Sequence, residues 1–251
     1  FVAKTGDDLF GRQVREALKE DKIITDYVFT DEEHPSGVAL ITIDKDAENC
    51  IVVASGANMY LTAEDIDKAK EEIISAKVVL MQLETPIQTV EYAARIAAQA
   101  GVPVILNPAP APQESLSVEL MKNLYLITPN RSEASRISGI EVTDLESAKE
   151  AAKAIYAMGT KNVIITLGSE GSLIYDGETF TKIEATKVKA VDTTAAGDTY
   201  NGVLAGALAE GYHLIDAARE ASIASAISVT RMGAQPAAPR REEIQEMKNR
   251  K

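Results

Sequence analysis

The feature that most constrains this chain is a repeated alternation of helical and strand patterns that begins near residue 62. Short apolar runs, typical of buried strands, are separated by longer segments that carry apolar residues at helical spacing. Such alternation is typical of parallel strands joined by crossover helices. We therefore predict an α/β protein with a doubly wound, mostly parallel sheet sandwiched by helices.

The limits of the predicted elements come from end signals as well as from periodicity. Helices are predicted over 62–75, from Pro86 to Gly101, from a capping box at 143–146 to Gly159, from Gly197 onward, and over the charged tail 240–251. Strands are predicted at 78–83, 102–106, 125–127, 162–166 and 186–191. Residues 172–175 and 179–183 are predicted to form an antiparallel hairpin appended to the parallel strands.

The stretch before residue 62 has a different character. Two β-rich runs, 27–29 and 37–43, flank the polar loop 30–36. We interpret 26–43 as a small β excursion from the main domain. With 251 residues and 45% hydrophobic composition, the chain is large enough to bury one full core. We expect a single domain over 1–251.

Composition excludes several classes of function. The chain has 26 Lys and Arg against 38 Asp and Glu, a net charge of −12, which opposes binding to nucleic-acid phosphates. Its one cysteine, Cys50, excludes an internal disulfide and is compatible with a reducing compartment. No apolar run approaches the roughly 20 residues that span a bilayer. We expect a cytoplasmic protein without nucleic-acid or membrane partners, in which local donors and dipoles hold any anionic ligand.

The segment that carries chemistry is 192–199, with the sequence DTTAAGDT. Small residues at a helix start allow an anion to approach unpaired backbone N–H groups, so Ala195, Ala196 and Gly197 fit an anion hole. Asp198 places a carboxylate beside that anion, where it can accept a proton from an attacking hydroxyl. In isolation, an Asp at such a position is most often a helix cap. The sequence contains neither a Walker A motif nor a dinucleotide-binding glycine fingerprint, so a nucleotide must be held in another way.

Residues 192–202 resemble the signature of the PfkB carbohydrate kinases, and several other segments resemble the ribokinases of that family. In family order they are TGDD at 5–8, SGAN at 55–58, MQLE at 81–84, LNPAPA at 106–111, ITPNRSE at 127–133, ITLGS at 165–169 and VTRMGAQP at 229–236. The resemblance implies a ribokinase-like fold and transfer of the γ-phosphate of ATP to the 5-hydroxyl of D-ribose. Another sugar kinase of the family, such as a fructokinase or deoxyribokinase, and a non-catalytic nucleotide-binding module are the alternatives.

The resemblance also implies roles for individual residues. It makes Asp198 the base and the backbone of Ala195, Ala196 and Gly197 the anion hole. For ATP and Mg²⁺ it implies, besides Gly197 and Asp198, a set consisting of Asn130, Glu133, Thr166, Leu167, Gly168, Ser169, Glu170, Gly171 and Ser222. For the sugar it implies Glu84 together with Asp198. For K⁺ it implies a loop site made of Asp192, Thr194, Ser228, Arg231, Gly233 and Ala237.

Some of these positions have plainer interpretations. By residue pattern alone, Asn130 with Glu133 is equally a helix cap, and the glycine-rich turn 166–171 is a strand end. A lone Glu at a strand end, such as Glu84, is more often solvated. Ala237 stands where related enzymes often have Ser, which leaves only its carbonyl as an oxygen ligand.

Two further expectations come from the resemblance. The chain opens at Phe1 inside what resembles a strand, so we expect that the family's first strand and helix, with further sugar-binding residues, belong to the working enzyme. The resemblance also implies that 26–43 forms part of a β lid. Related enzymes usually pair through this lid, so we expect a homodimer through it.

Overall fold

The structure is a computed structural model that describes residues 1–43 and 49–249, without the side chains of 41–43 and 49–51. The side chain of Cys50 is among those that are not described. The elements are, in chain order, β1 (Ala3–Gly6), α1 (Leu9–Glu20), β2 (Val28–Asp31), β3 (Val38–Ile43), β4 (Asn49–Ala54), α2 (Ala63–Lys68), α3 (Lys70–Ser75), β5 (Val79–Met81), α4 (Ile87–Gln99), β6 (Val104–Leu106), α5 (Val118–Asn123), β7 (Leu126–Ile127), α6 (Arg131–Ser138), α7 (Leu145–Ala157), β8 (Val163–Thr166), β9 (Ser172–Tyr175), β10 (Phe180–Ile183), α8 (Ala196–Ala209), α9 (Leu214–Ser228) and α10 (Arg241–Asn249).

The contacts within the chain divide it into two compact units. The first contains Phe1–Ser75 and Leu83–Ile96, and the second contains Ala76–Gln82 and Ala97–Lys251. Each unit has its own sheet or sheets, and the units are described separately below. The single domain predicted for 1–251 stays a prediction.

The second unit is built on a six-stranded sheet with the order β10-β9-β8-β7-β6-β5. Strands β5 to β8 are parallel, whereas β9 and β10 form an antiparallel hairpin on the edge of β8. The predicted α/β class, the parallel core and the appended hairpin are confirmed. The predicted terminal helix is also present, as α10.

Helices cover both faces of this sheet. Ile105, Ile164 and Ile174 pack with α8 and α9 in one apolar cluster. Val163 and Ile165 point to the opposite face, because side chains alternate along a strand, and both are fully buried. Helix α7 contacts β8 and β9. The near-continuous apolar strands are therefore explained by burial on both sides.

Two local predictions in the second unit are wrong. The strand predicted at 186–191 is absent there, because Val191 donates its N–H to the carbonyl of Val229 at 2.7 Å, beyond the end of α9, and does not join the sheet. The capping box predicted to begin at Thr143 begins one residue later. The Asp144 side chain accepts from the N–H of Ser147 at 2.8 Å, and the Ser147 hydroxyl accepts from the N–H of Asp144 at 3.0 Å.

The first unit contains two small sheets. β1 pairs with β2 in parallel, and β3 pairs with β4 as an antiparallel hairpin. The two β-rich runs that the sequence grouped into one excursion thus lie in different sheets, and only the second belongs to the hairpin. The helix predicted over 62–75 is divided at Ala69, whose N–H bonds to the carbonyl of Ile66 at 3.0 Å in a tighter turn.

Within the described parts of the chain, no helix combines the length and apolar character that crossing a bilayer requires.

Candidate active site

The first turn of α8 begins without a side-chain cap. Helices are commonly capped by Ser, Thr, Asp or Asn, whose side chains accept bonds from first-turn N–H groups. Helix α8 begins instead at Ala195, whose backbone is left-handed, with φ 56° and ψ 17°. The N–H of Ala196 donates to the carbonyl of Thr193 at 3.3 Å. Among the described residues, no backbone carbonyl accepts from Gly197 or Asp198, so two N–H donors stay open at the positive end of the helix dipole.

These open donors lie next to a carboxylate. Asp198 is in the first turn of α8 and its side chain is exposed. The space beside Gly197 is open, since an added Cβ would meet no atom within 4 Å. An anion can therefore approach the bare backbone with Asp198 at its side. The roles predicted for Ala195, Ala196, Gly197 and Asp198 stay predictions, and this geometry supports them.

Asn130 and Glu133 form the capping box of α6. The Asn130 side chain accepts from the N–H of Glu133 at 2.9 Å, and the Glu133 carboxylate accepts from the N–H of Asn130 at 2.8 Å and from its amide nitrogen at 2.9 Å. Glu133 is buried, and burial raises the pKa of its carboxyl above the ordinary value of 4.5. The N–H bond from Asn130 opposes that shift, and the charge of Asp198 adds to it. The first turns of α6 and α8 are therefore close enough for their carboxylates to interact.

The predicted nucleotide loop, 166–171, lies next to Asn130. Thr166 donates its N–H to the carbonyl of Pro129 at 2.9 Å, and a parallel bridge joins Thr166 to Asn130. Gly168 and Gly171 both have positive φ, and a Cβ on Gly171 would lie 1.9 Å from the carbonyl oxygen of Ile183. The strand end thus turns back tightly and leaves residues 168–170 exposed.

Two neighbouring residues complete the description of this region. Glu170, in the exposed turn, pairs with Arg131 at the start of α6, so an ion pair links the loop to the capping-box helix. Ser222, the residue predicted on the adenine side, is buried on α9.

The predicted cation loop is organised by Asp192. One carboxylate oxygen accepts from the N–H of Thr194 and the other from the N–H of Gly233, both at 2.9 Å. These bonds, with Gly233 the larger cause, lower the pKa of the Asp192 carboxyl. Asp192 therefore joins the segment that leads into α8 to the loop after α9, and it stays anionic there.

The other predicted K⁺ residues lie around the same loop. Ser228 ends α9 and its carbonyl accepts from the N–H of Arg231 at 3.0 Å. The guanidinium of Arg231 pairs with Glu243, and Ala237 is fully buried. Backbone carbonyls with one carboxylate are hard oxygen donors, which suits K⁺. Among the described residues, no group of three or more His, Cys, Asp and Glu side chains could hold a metal ion, so a shared multi-carboxylate site is not found there.

Glu84, the predicted sugar-contacting residue, belongs to the first unit. It follows β5 by three residues and its side chain is exposed. The structure therefore gathers Asp198, Asn130, Glu133, the turn 166–171 and Asp192 in the second unit, and it places Glu84 in the other.

Sequence reasoning missed three polar residues that support the first turn of α8. Ser225 on α9 donates its hydroxyl to the carbonyl of Ala196 at 3.1 Å. Asn201 and Thr128 form a buried pair that reaches the carbonyl of Gly197. The signal available for Asn201 was a polar residue among the inward positions of a helical pattern, next to Tyr200 and Leu204.

This chain is similar to carbohydrate kinases of known sequence and structure. A family model described as "pfkB family carbohydrate kinase" matches residues 1–241. The chain belongs to this family. A ribokinase of Haemophilus influenzae is 41% identical over 98% of this chain and 80% of its own length. A deoxyribokinase of Salmonella typhi is 32% identical over the same shares of the two chains.

The family fold extends to solved structures. The structure of Arabidopsis thaliana ribokinase complexed with ribose and ATP covers 98% of this chain and 80% of its own, with 31% identity and a TM-score of 0.91. The predicted ribokinase-like fold is therefore confirmed. Membership in the family identifies the chain as an ATP-dependent kinase, which transfers a phosphoryl group to an alcohol.

Proposed function

We propose that this chain transfers the γ-phosphoryl group of ATP to the 5-hydroxyl of D-ribose and forms D-ribose 5-phosphate. The observation that carries the proposal is the uncapped first turn of α8, where the open N–H donors of Gly197 and Asp198 stand beside an exposed carboxylate. The identity to ribokinases supports ribose as the acceptor.

The reaction needs few groups from the protein. Asp198 accepts the proton of the sugar hydroxyl while the oxygen of that hydroxyl bonds to the γ-phosphorus. The bond from the γ-phosphorus to the ADP oxygen breaks in the same step. The N–H groups of Gly197 and Asp198 donate to the charged oxygens of the group in transit. Loss of one such donor typically costs about 3 to 4 kcal/mol of transition-state stabilisation. General-base catalysis supplies a rate factor of roughly 100 to 10,000.

ATP and its Mg²⁺ are assigned to the surface next to α8. The exposed turn 168–170 and Ser222 serve the nucleotide, and Asn130 with Glu133 serves the phosphates. Bound Mg²⁺ neutralises charge on the phosphate oxygens. Glu133 is engaged in its capping box, so it would contribute negative charge near the phosphates and Mg²⁺ from a fixed position.

K⁺ is assigned to the loop organised by Asp192, with carbonyls of Thr194, Ser228, Arg231, Gly233 and Ala237 as the candidate ligands. A cation there supplies positive charge close to the segment that leads into the anion hole. The hydrogen bonds from Thr194 and Gly233 to Asp192 support this assignment, because they hold two of the candidate residues on either side of one carboxylate. Glu84 is assigned to the sugar.

A homodimer through the β3–β4 hairpin is part of the proposal. Leu40 and Val52 lie opposite each other in the register and are 69% and 61% exposed, and Val53 is 54% exposed. Exposed apolar side chains on a small hairpin favour a partner surface. We assign the enzyme to the cytoplasm, with no nucleic-acid or membrane partner.

The first experiment measures ADP release with ribose, 2-deoxyribose and fructose as acceptors, with and without K⁺. We expect ribose to give the largest kcat/KM. Preference for 2-deoxyribose would support the deoxyribokinase alternative, since one relative of this chain is a deoxyribokinase of Salmonella typhi. Absence of turnover with all three sugars would support a non-catalytic nucleotide-binding module.

The second experiment tests the base. We expect Asp198→Asn to lower kcat by roughly 100- to 10,000-fold. Asp216→Asn is the matched control, because Asp216 is a first-turn aspartate of the neighbouring helix α9. Near-normal turnover in Asp198→Asn would refute the base assignment.

A further inference from the structure

Asn201 is a buried amide in the middle of the candidate catalytic helix. Its side chain is on α8, four residues after Gly197, and only 3% of the residue is exposed. The amide nitrogen donates to the carbonyl of Gly197 at 2.9 Å, and the amide oxygen accepts from the Thr128 hydroxyl at 2.6 Å. A buried amide costs about 1 to 3 kcal/mol unless it is bonded, and here both ends are bonded.

Thr128 connects this amide to the carboxyl ends of two strands. It directly follows β7, is 1% exposed, and donates its N–H to the carbonyl of Leu106 on β6 at 2.9 Å. Asn107 donates its amide to the Thr128 carbonyl at 3.1 Å. Thr128 also precedes Pro129 and Asn130 along the chain. The network therefore joins β6, β7 and the capping-box segment to the first turn of α8.

The directions of these hydrogen bonds are fixed by chemistry. A hydroxyl has one proton to donate, and the Thr128 hydroxyl directs it to Asn201 over the 2.6 Å contact, since the carbonyl of Leu106 is 3.4 Å away. The amide oxygen of Asn201 is thereby occupied, so its NH₂ group faces the carbonyl of Gly197. Because a trans peptide is planar, fixing that carbonyl also fixes the N–H of Asp198, which points in the opposite direction.

We infer that Asn201 and Thr128 are positioning residues for phosphoryl transfer: they lock the Gly197–Asp198 peptide so that its open N–H and the Asp198 carboxylate face the transferring group. The inference rests on the proposed function. Neither side chain touches the substrate, and both act through a peptide that does. Such control matters because small displacements of catalytic groups cost about two orders of magnitude in rate.

The test compares variants that differ in hydrogen bonding more than in shape. Thr128→Val removes the hydroxyl, Thr128→Ser keeps it, and Asn201→Leu removes the amide. Tyr200→Phe is the matched control, because Tyr200 shares a buried hydrogen bond with Ser172 at 3.1 Å and is the neighbour of Asn201 on the same helix. We measure kcat, the KM for ribose and for ATP, and the thermal midpoint for each variant.

We expect Thr128→Val and Asn201→Leu to lower kcat at least about tenfold while each KM changes less than about threefold. Thr128→Ser should restore most of kcat, and the double variant should be no worse than the poorer single variant, because the two residues act as a unit. Tyr200→Phe should lose thermal stability but keep kcat. Wild-type kcat in Thr128→Val, or an equal loss of kcat in Tyr200→Phe, would overturn the inference.

A second measurement is independent of turnover. Amide hydrogen exchange of Thr199 and Asn201, whose N–H groups are at hydrogen-bonded positions of the first turns of α8, should be faster in Thr128→Val than in the wild type or Tyr200→Phe. If the wild type lacked kinase activity, the proposed function would fail, and exchange alone would still decide whether the pair fixes this peptide. Unchanged exchange at both amides in Thr128→Val would overturn the inference even with full activity in the wild type.

Discussion

Replacing Ala195 by Gly should stabilise the protein, against the usual effect of adding glycine. Ala195 has φ 56°, in the left-handed region that L-residues with a Cβ occupy at a cost of about 1 to 2 kcal/mol. Glycine removes that cost. Glycine also increases the conformational entropy of the unfolded chain, and this reduces the gain in stability by about 0.4 to 1 kcal/mol. The expected net gain is about 0.5 to 1 kcal/mol.

The matched comparison is Ala196→Gly. Ala196 is the next residue and the first of α8, and its backbone carries no such strain. Glycine there should destabilise by about 0.5 to 1 kcal/mol. The two variants should therefore differ by about 1 to 2 kcal/mol, or by about 2 to 8 °C in thermal midpoint for a chain of this size.

Lys22→Gly supplies a second comparison far from any chemistry. Lys22 follows the cap of α1 with φ 62°, where glycine is the usual residue, and it should show a gain like that of Ala195→Gly. The assay is urea unfolding followed by circular dichroism, with thermal midpoints in parallel. If Ala195→Gly destabilised the protein as much as Ala196→Gly while Lys22→Gly stabilised it, the left-handed cap would not exist in solution.

Three further outcomes follow from individual contacts. Gly171→Ala should destabilise by at least about 2 kcal/mol, because its Cβ would lie 1.9 Å from a carbonyl oxygen, whereas Gly168→Ala, with open space, should cost only about 1 kcal/mol in urea unfolding. Burial raises the pKa of Glu133, so the wild type should lose stability relative to Glu133→Gln as the pH rises from the ordinary value of 4.5 through the folded pKa, as urea midpoints across pH will show. The pKa of Asp192 is lowered, so Asp192→Asn should be less stable than the wild type above pH 3.8, and thermal midpoints should converge as the pH falls through the folded pKa.

The regular elements were predictable because their signals are local. Helix α8 followed from the helical spacing of Tyr200, Leu204 and Ala207, which the structure buries together. The strand predicted at 186–191 failed for a non-local reason. Its apolar and polar alternation resembles a strand, but the N–H groups of Val191 and Asp192 both donate to Val229, which is distant in sequence. Local pattern cannot report which partner a backbone will find.

The candidate site also contains residues that a local motif predicts and residues that it does not. The positions of Asp198 and its small neighbours were visible as a motif, whereas the left-handed Ala195 was not, because alanine carries no propensity for that conformation. The Thr128–Asn201 contact spans 73 residues of chain, and neither residue alone signals it. Asn130 and Glu133 have a structural role as a capping box, which holds the buried Glu133 carboxylate next to the charge of Asp198, whereas their role at the phosphates stays a prediction.

The open N–H donors at the start of α8 can attract an anionic ligand to a chain whose net charge is negative. A chain with a net charge of −12 repels a nucleoside triphosphate at long range, so attraction must come from donors at the site. The side-chain caps of α6 and α7 satisfy first-turn N–H groups there. At α8 the cap residue is an alanine that cannot do so, and the donors stay open beside Asp198. Ala195 supplies no side-chain cap, and its left-handed backbone adds strain. An ordinary capping residue at this position would make the helix more stable. Strain that persists at such a position favours a functional role for this end of α8.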